Sequence, residues 1–149
     1  MSVGAASTRE AYFVGRRTLW GRRGGRVVGG IYLWTAGIHL GIVAAGPSFY
    51  RHFADHALLG VVRTGWADVF MAAPAMWGLC LVVAETVLGI ALLTGGRLAR
   101  LAWAGVIAFH VLLMLFGAGF WAWSLPALAV LVPLAAMDRA QTDSREGGR

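Results

Sequence analysis

Three titratable side chains interrupt stretches of sequence that are otherwise apolar. His39 lies in AGIHLGIVAAG, Glu85 in LVVAETVLG and His110 in VIAFHVLLM. A histidine next to a carboxyl group in an apolar environment can form an imidazolium and carboxylate pair, or a neutral pair that shares one hydrogen bond. Either form could deliver protons or bind a reducible carbonyl group such as that of a quinone. We therefore take His39, Glu85 and His110 as candidates for ligand binding or proton handling.

The composition of the chain is typical of a membrane protein. Of its 149 residues, 58% are apolar and 13% are charged, whereas soluble domains are roughly 45–50% apolar and about 25% charged. The sequence predicts an all-α integral membrane four-helix bundle over residues 26–138, because its apolar stretches are long enough to cross roughly 30 Å of hydrocarbon. The predicted spans are residues 27–46, 70–94, 98–117 and 120–137. Pro126 and Pro133 are expected to kink the fourth span without breaking it.

The arginines predict the orientation of the bundle. Residues 1–25 form a basic segment, and Arg97 and Arg100 follow the second span, so both regions belong in the cytoplasm by the positive-inside rule. Both termini are then cytoplasmic, with residues 139–149 as a short tail, and we expect a multi-pass plasma-membrane protein whose C-terminal residues 137–149 are disordered. The arginines flank membrane spans, which argues against nucleic acid as a partner and favours the lipid bilayer. The expected surface anchors are Arg16, Arg17, Trp20, Arg22, Arg23 and Arg26.

The depth of the three titratable residues allows them to meet. At about 1.5 Å per residue from the cytoplasmic ends of their spans, His39 lies roughly 20 Å deep, Glu85 roughly 15 Å and His110 roughly 18 Å. An ionisable group inside a span usually turns toward the bundle interior and pairs, so we expect His39 to face Glu85. The alternative to a ligand or proton role is a polar clasp between two helices, worth about 1–2 kcal/mol.

Metal and haem sites are weakly indicated. Two histidines and a glutamate can bind zinc or non-haem iron, and two histidines can bind haem. His39, Glu85 and His110 come from three separate helices, without the HxxxH or ExxH spacing that holds two ligands on one face. We therefore expect neither a metal ion nor haem.

If residues 47–67 form an amphipathic helix on the membrane surface, His52 and His56 share one face of it. We expect solvated side chains there, with contact to a metal ion or a lipid head group as the alternative. Cys80, the single cysteine, is expected to be buried and leaves no partner for a disulfide within the chain.

Two longer strings resemble the DoxX-like family of small membrane proteins. In RVVGGIYLWTAGIHLG, an arginine at the membrane edge precedes small residues and an Ala-Gly-x-His motif. In AETVLGIALLTGGRLARLAWAGVIAF, an Ala-Glu pair is followed by a glycine four residues after the glutamate, a leucine pair, a glycine turn and an arginine that opens the third span. With the connecting FYRHFAD segment, the resemblance covers residues 26 to about 117. His39 and Glu85 fall on its motif positions, and His110 does not.

The resemblance implies a four-helix membrane bundle linked to redox systems. Some relatives are subunits of a thiosulfate:quinone oxidoreductase, and others belong to membrane complexes that handle oxidative or thiol stress. No catalytic residue carries over, so the resemblance favours an accessory oxidoreductase subunit over an independent enzyme, with a quinone as candidate ligand and a membrane or peripheral redox protein as partner. Two other classes stay open. One is an assembly scaffold, and the other is a small transporter or proton pathway that works as a homo-oligomer and depends on Glu85.

Overall fold

The predicted bundle of membrane helices is confirmed. The structure, a computed structural model, describes the backbone of residues 4–146 and the side chains of residues 21–140. Within the described backbone every regular element is helical, and four helices are long and apolar enough to cross a membrane. The long helices are α1 (Gly4–Ala45), α3 (Pro74–Thr94), α4 (Gly96–Leu113) and α5 (Ala118–Glu146), and a short helix, α2 (Gly60–Gly65), lies between the first two.

The ends of the bundle differ in part from the expectations. Helix α5 continues to Glu146, so the prediction of a disordered tail is wrong over the described residues. The reason is local, since no glycine or proline interrupts residues 138–146. Pro126 and Pro133 lie inside α5, which runs through both without a break. Three of the expected surface anchors have side chains outside the described residues: Arg16, Arg17 and Trp20. The other three are exposed at the start of the first span: Arg22, Arg23 and Arg26.

The four spanning helices pack in a ring, each against two neighbours. Helix α1 packs against α3 and α5, and α4 packs against the same two helices, so α1 and α4 lie diagonally opposite. Near the α3–α4 turn the interior is filled by side chains, among them the fully buried Trp103, whose Nε1–H donates to Asp138 Oδ2 at 3.1 Å. Cys80 is exposed on α3, contrary to expectation, because the outer face of a membrane helix also suits a small apolar side chain. The main core cluster is Val28, Tyr32, Leu92, Ala102, Trp103, Val106, Leu131 and Ala135.

Two glycines allow α1 and α3 to approach to backbone contact. A Cβ atom on Gly29 would lie 2.8 Å from the Gly89 carbonyl oxygen, and a Cβ atom on Gly89 would lie 2.8 Å from the Gly29 carbonyl oxygen. Neither position has room for a side chain. This close crossing positions the two helices that carry His39 and Glu85.

The segment between α1 and α3 is irregular. It contains a 3-10 helix over Pro47–Ala54, helix α2, and a π-helical turn over Trp66–Phe70, so residues 47–67 do not form one continuous surface helix. Tertiary hydrogen bonds hold the chain where that helix would have continued: Leu58 N–H donates to the Leu115 carbonyl at 3.0 Å. His52 and His56 are both exposed, and His52 Nδ1 lies 2.9 Å from Asp55 Oδ2.

Candidate functional site

A cavity of about 600 Å³ lies inside the bundle, at the end away from the α3–α4 turn. All four spanning helices contribute to its wall, and the irregular segment between α1 and α3 covers part of this end of the bundle. The cavity is partly open to its surroundings, and its lining is mostly apolar and aromatic. The lining residues are Thr35, Ile38, His39, Phe53, Trp66, Phe70, Leu81, Glu85, Phe109, Leu112, Leu113, Phe116, Gly119, Phe120 and Trp123.

His39 and Glu85 form the polar part of this lining. His39 Nε2, on α1, lies 3.7 Å from Glu85 Oε1, on α3, so the predicted contact between the two residues is present. Glu85 is almost fully buried, and His39 is partly exposed toward the cavity. Thr35 lies one helical turn before His39 and lines the same wall. An otherwise apolar cavity therefore has one wall that carries an imidazole, a carboxyl group and a hydroxyl group.

Tyr50 is within hydrogen-bond distance of His39, on the other side of the imidazole from Glu85. Its hydroxyl oxygen lies 2.7 Å from His39 Nδ1, and the two rings stack with their centroids 5.7 Å apart. Tyr50 is fully buried in the 3-10 helix that follows α1. Burial, reinforced by the negative charge of Glu85, raises the pKa of the Tyr50 hydroxyl. The phenol therefore keeps its proton and can donate it to His39 Nδ1.

The order Tyr50, His39, Glu85 gives the imidazole two proton arrangements. When the Tyr50 hydroxyl donates to Nδ1, the ring proton is on Nε2 and points toward Glu85. When Nδ1 donates to the Tyr50 oxygen, Nε2 has a lone pair that can accept a proton from a protonated Glu85. In either arrangement Nε2 is the atom that can exchange a proton with Glu85, while the Tyr50 hydroxyl stays protonated at Nδ1. His39 and Glu85 can therefore exchange a proton as well as form a clasp between two helices.

One oxygen of Glu85 is left for a further partner. Glu85 Oε2 is buried and, among the residues whose side chains the structure describes, has no hydrogen-bond partner. A polar atom without a hydrogen-bond partner destabilises a protein inside a membrane, because no bulk water is there to supply the missing hydrogen bond. Glu85 also lines the cavity, but Oε2 itself has almost no accessible surface. A rotation of the carboxyl group would bring this oxygen within reach of a hydrogen-bond donor in the cavity.

His110 is not brought together with the other two candidates. It is buried on α4, diagonally opposite α1, and does not line the cavity. Its ring contacts that of the adjacent Phe109, and its buried Nδ1 has no hydrogen-bond partner within residues 21–140. Across the same described side chains, no group of three His, Cys, Asp or Glu residues is arranged to hold a metal ion. The expected meeting of three titratable groups is therefore observed for two of them.

At the end away from the α3–α4 turn, the wall of the cavity is a cluster of aromatic rings, here called the aromatic cap. The sequence analysis did not predict this cluster. Trp66 is central to it: its ring stacks on Phe70 with centroids 3.8 Å apart and meets the edge of Phe116 at 5.1 Å. Trp66 Nε1–H donates to the Tyr50 carbonyl at 2.8 Å, which ties the cap to the partner of His39. A usable signal was the concentration of aromatic residues between positions 49 and 77. The cap consists of Phe53, Trp66, Phe70, Phe116 and Phe120.

Comparison of the chain with protein-family models, with curated proteins and with solved structures gives no match. A mostly apolar cavity with a few convergent polar groups is the usual form of a small-molecule site. This one suits a flat apolar molecule with an oxygen-bearing head group.

Proposed function

We propose that the chain is an accessory subunit of a quinone-linked membrane redox system, and that its cavity binds the quinone head group. The observation that carries this proposal is the joining of an aromatic, apolar cavity to the His39 and Glu85 pair, with one buried carboxyl oxygen unpaired within the described residues. The resemblance of the RVVGGIYLWTAGIHLG and AETVLGIALL strings to DoxX-like proteins supports the same assignment.

The polar groups match the hydrogen bonds of both redox forms of such a ligand. A quinone carbonyl accepts a hydrogen bond, which His39 Nε2–H can donate, and a quinol hydroxyl donates one, which the Glu85 carboxylate can accept. The volume of about 600 Å³ falls within the range of roughly 300–1,000 Å³ that small-molecule pockets occupy. The head-group ring packs against the aromatic cap, and the apolar tail follows Leu112 and Leu113 toward lipid.

Reduction of a quinone needs protons, which the side chains of the polar wall can deliver. Reduction of a quinone to a quinol takes up two electrons and two protons. The electrons come from a partner protein that carries a redox centre, at the membrane or bound to its surface. His39 and Glu85 can hold and deliver protons at the polar wall, and Tyr50 orients the imidazole through its hydrogen bond to Nδ1. The chain then contributes the binding site and the proton transfer, and the partner contributes the electron transfer.

The distribution of arginines supports a plasma-membrane protein with both termini in the cytoplasm. Arg22, Arg23 and Arg26 precede the first span, and Arg97 and Arg100 lie at the turn between α3 and α4, at the same end of the bundle. In this orientation the cavity and the aromatic cap occupy the outer half of the membrane. The quinone head group would then be bound near the outer surface.

Substitution of Glu85 tests the proposal. Glu85→Leu removes both carboxyl oxygens at similar volume and is expected to weaken quinone binding at least about tenfold, the effect of losing one or two charge-assisted hydrogen bonds. Glu85→Gln keeps a hydrogen-bonding side chain without a titratable proton, so it should retain most binding and slow reduction by the partner. Bound quinone is measured by native mass spectrometry after gentle extraction and after titration with added quinone. Asp68→Asn is the matched control, because it removes one exposed carboxylate away from the cavity.

Two outcomes would count against the quinone site. Equal quinone binding by the wild-type chain, Glu85→Leu and Asp68→Asn would mean that the polar wall does not recognise the head group. A partner protein that is retained by every variant, with no bound quinone in any of them, would make the pair a structural clasp and the chain a scaffold.

A further inference from the structure

A second cavity, of about 500 Å³, lies on the outer side of the bundle and has a different character. It is formed by the irregular segment between α1 and α3, and Arg51, Asp55, Arg63 and Met71 line it. Trp66 lines both cavities, so the aromatic cap separates the apolar interior from this charged pocket. The redox proposal makes no use of these charged residues.

The charges in this pocket favour an anion. Arg51 and Arg63 both line it, against the single carboxylate of Asp55. Asp55 is already engaged, because its Oδ2 lies 2.9 Å from His52 Nδ1. The pocket therefore presents two guanidinium groups and one carboxylate that already has a partner. Guanidinium groups bind phosphate oxygens well, since their planar N–H groups match the spacing of two oxygens.

Arg63 is held in place before any ligand binds. Its Nη1 donates a hydrogen bond to the Ala57 carbonyl at 3.1 Å, which fixes the side chain across the turn that precedes α2. This bond uses one of the five N–H groups of a guanidinium and leaves others for an oxyanion. A cation fixed in this way loses less conformational entropy on binding than a freely rotating one.

The residues around the arginines favour contact of the pocket with lipid. Leu58 and Val61 leave 54% and 71% of their side chains exposed, and Leu59 and Val69 are exposed as well. Such a run of exposed apolar side chains suits lipid rather than water. Arginines on a segment at this depth extend their charged ends toward the phosphate layer.

We propose that this pocket binds the phosphate group of a membrane phospholipid between Arg51 and Arg63, with the acyl chains against Leu58 and Val61. Free phosphate has the same oxyanion chemistry. The exposed leucine and valine side chains beside the pocket favour the lipid, because a free ion would leave them without a partner. The proposal is independent of the quinone site, since it rests on a different cavity and on different polar residues.

Lipid titration of the delipidated full-length chain in detergent tests this proposal by native mass spectrometry. The probes are phosphatidylglycerol, phosphatidylcholine and diacylglycerol with the same acyl chains. Both phospholipids should bind, and diacylglycerol, which lacks the phosphate, should bind at least about tenfold more weakly. Arg51→Gln should weaken phospholipid binding about tenfold and leave diacylglycerol binding unchanged. Arg139→Gln removes one exposed arginine at the opposite end of the bundle and should bind like wild type.

A second variant tests the phosphate site even if Arg51→Gln folds poorly. Asp55→Asn removes the one carboxylate that lines the pocket, so it should strengthen phospholipid binding severalfold. Equal binding of diacylglycerol and phospholipid, or equal binding by Arg51→Gln and Arg139→Gln, would overturn the phosphate site. Displacement of bound phospholipid by an equal concentration of inorganic phosphate would overturn the lipid as its occupant.

Discussion

Replacing Gly29 with alanine is expected to lower the free energy of unfolding of the bundle by about 1–3 kcal/mol, the usual cost of overfilling a packed interface. The added Cβ atom would lie 2.8 Å from the Gly89 carbonyl oxygen and 3.2 Å from Leu92 Cβ and Leu93 Cγ. The nearest of these atoms belongs to the backbone, so no side-chain rotation can relieve the contact. Helices α1 and α3 must separate, and the loss of stability is measured as a lower unfolding midpoint in detergent.

The neighbouring glycine supplies the control. Gly30 has nothing within 4 Å of the position a Cβ atom would take, so Gly30→Ala makes the same chemical change on the same helix without a contact. Its expected effect is zero or a small gain, since alanine is the better helix former by up to about 1 kcal/mol. Equal destabilisation by both variants would show that the crossing is not the source of the effect. The Gly29 variant should also bind less quinone, because Gly89 lies one turn after Glu85 on the helix that must move.

The helical fold is predictable from the sequence because few backbone structures can cross a bilayer. Apolar stretches of about 20 residues with arginines at their ends can cross it only as helices, and the four predicted spans are all helical. The boundaries are less predictable. The second span begins at Pro74 rather than residue 70, because Trp66–Phe70 forms a separate π-helical turn that packs into the aromatic cap.

Two of the three side chains of the polar wall, His39 and Glu85, were also predictable. A buried carboxyl group needs a partner, and counting residues along two helices placed His39 and Glu85 at similar depth. The same count placed His110 there too, but depth does not fix rotation about the helix axis or the order of helices around the bundle. Helix α4 lies diagonally opposite α1, which keeps His110 out of the cavity lining.

The residues that complete the site lie outside the spans, where periodicity gives little guidance. Tyr50 reaches His39 because a 3-10 helix follows α1 directly, beginning at Pro47. Trp66 reaches the cavity because the chain then folds back over the bundle and bonds to the α4–α5 connection through Leu58. Both placements depend on tertiary hydrogen bonds of an irregular segment. No repeating pattern in the sequence encodes them.

Trp66→Ala is expected to lower both the stability of the bundle and its binding of quinone. The change removes the stacked contact with Phe70 and the edge contact with Phe116, together with the hydrogen bond to the Tyr50 carbonyl. We expect a loss of roughly 3 kcal/mol in the free energy of unfolding, at the lower end for tryptophan to alanine because the side chain is partly exposed. Quinone binding should fall as well, since Trp66 lines the quinone cavity and supports the segment that carries Tyr50.

Two matched variants separate the roles of Trp66. Trp66→Phe keeps an aromatic face in the cap but cannot donate to Tyr50, so it should cost only about 1 kcal/mol, the net value of one hydrogen bond. Trp34→Ala makes the same truncation on a side chain that is 68% exposed and lines neither cavity, and it should leave both the unfolding midpoint and quinone binding unchanged. If Trp66→Ala unfolds at the same midpoint as Trp34→Ala, the cap does not hold the segment over the cavity. If it unfolds earlier but binds quinone as wild type does, the cap stabilises the fold and the head group is recognised by the polar wall alone.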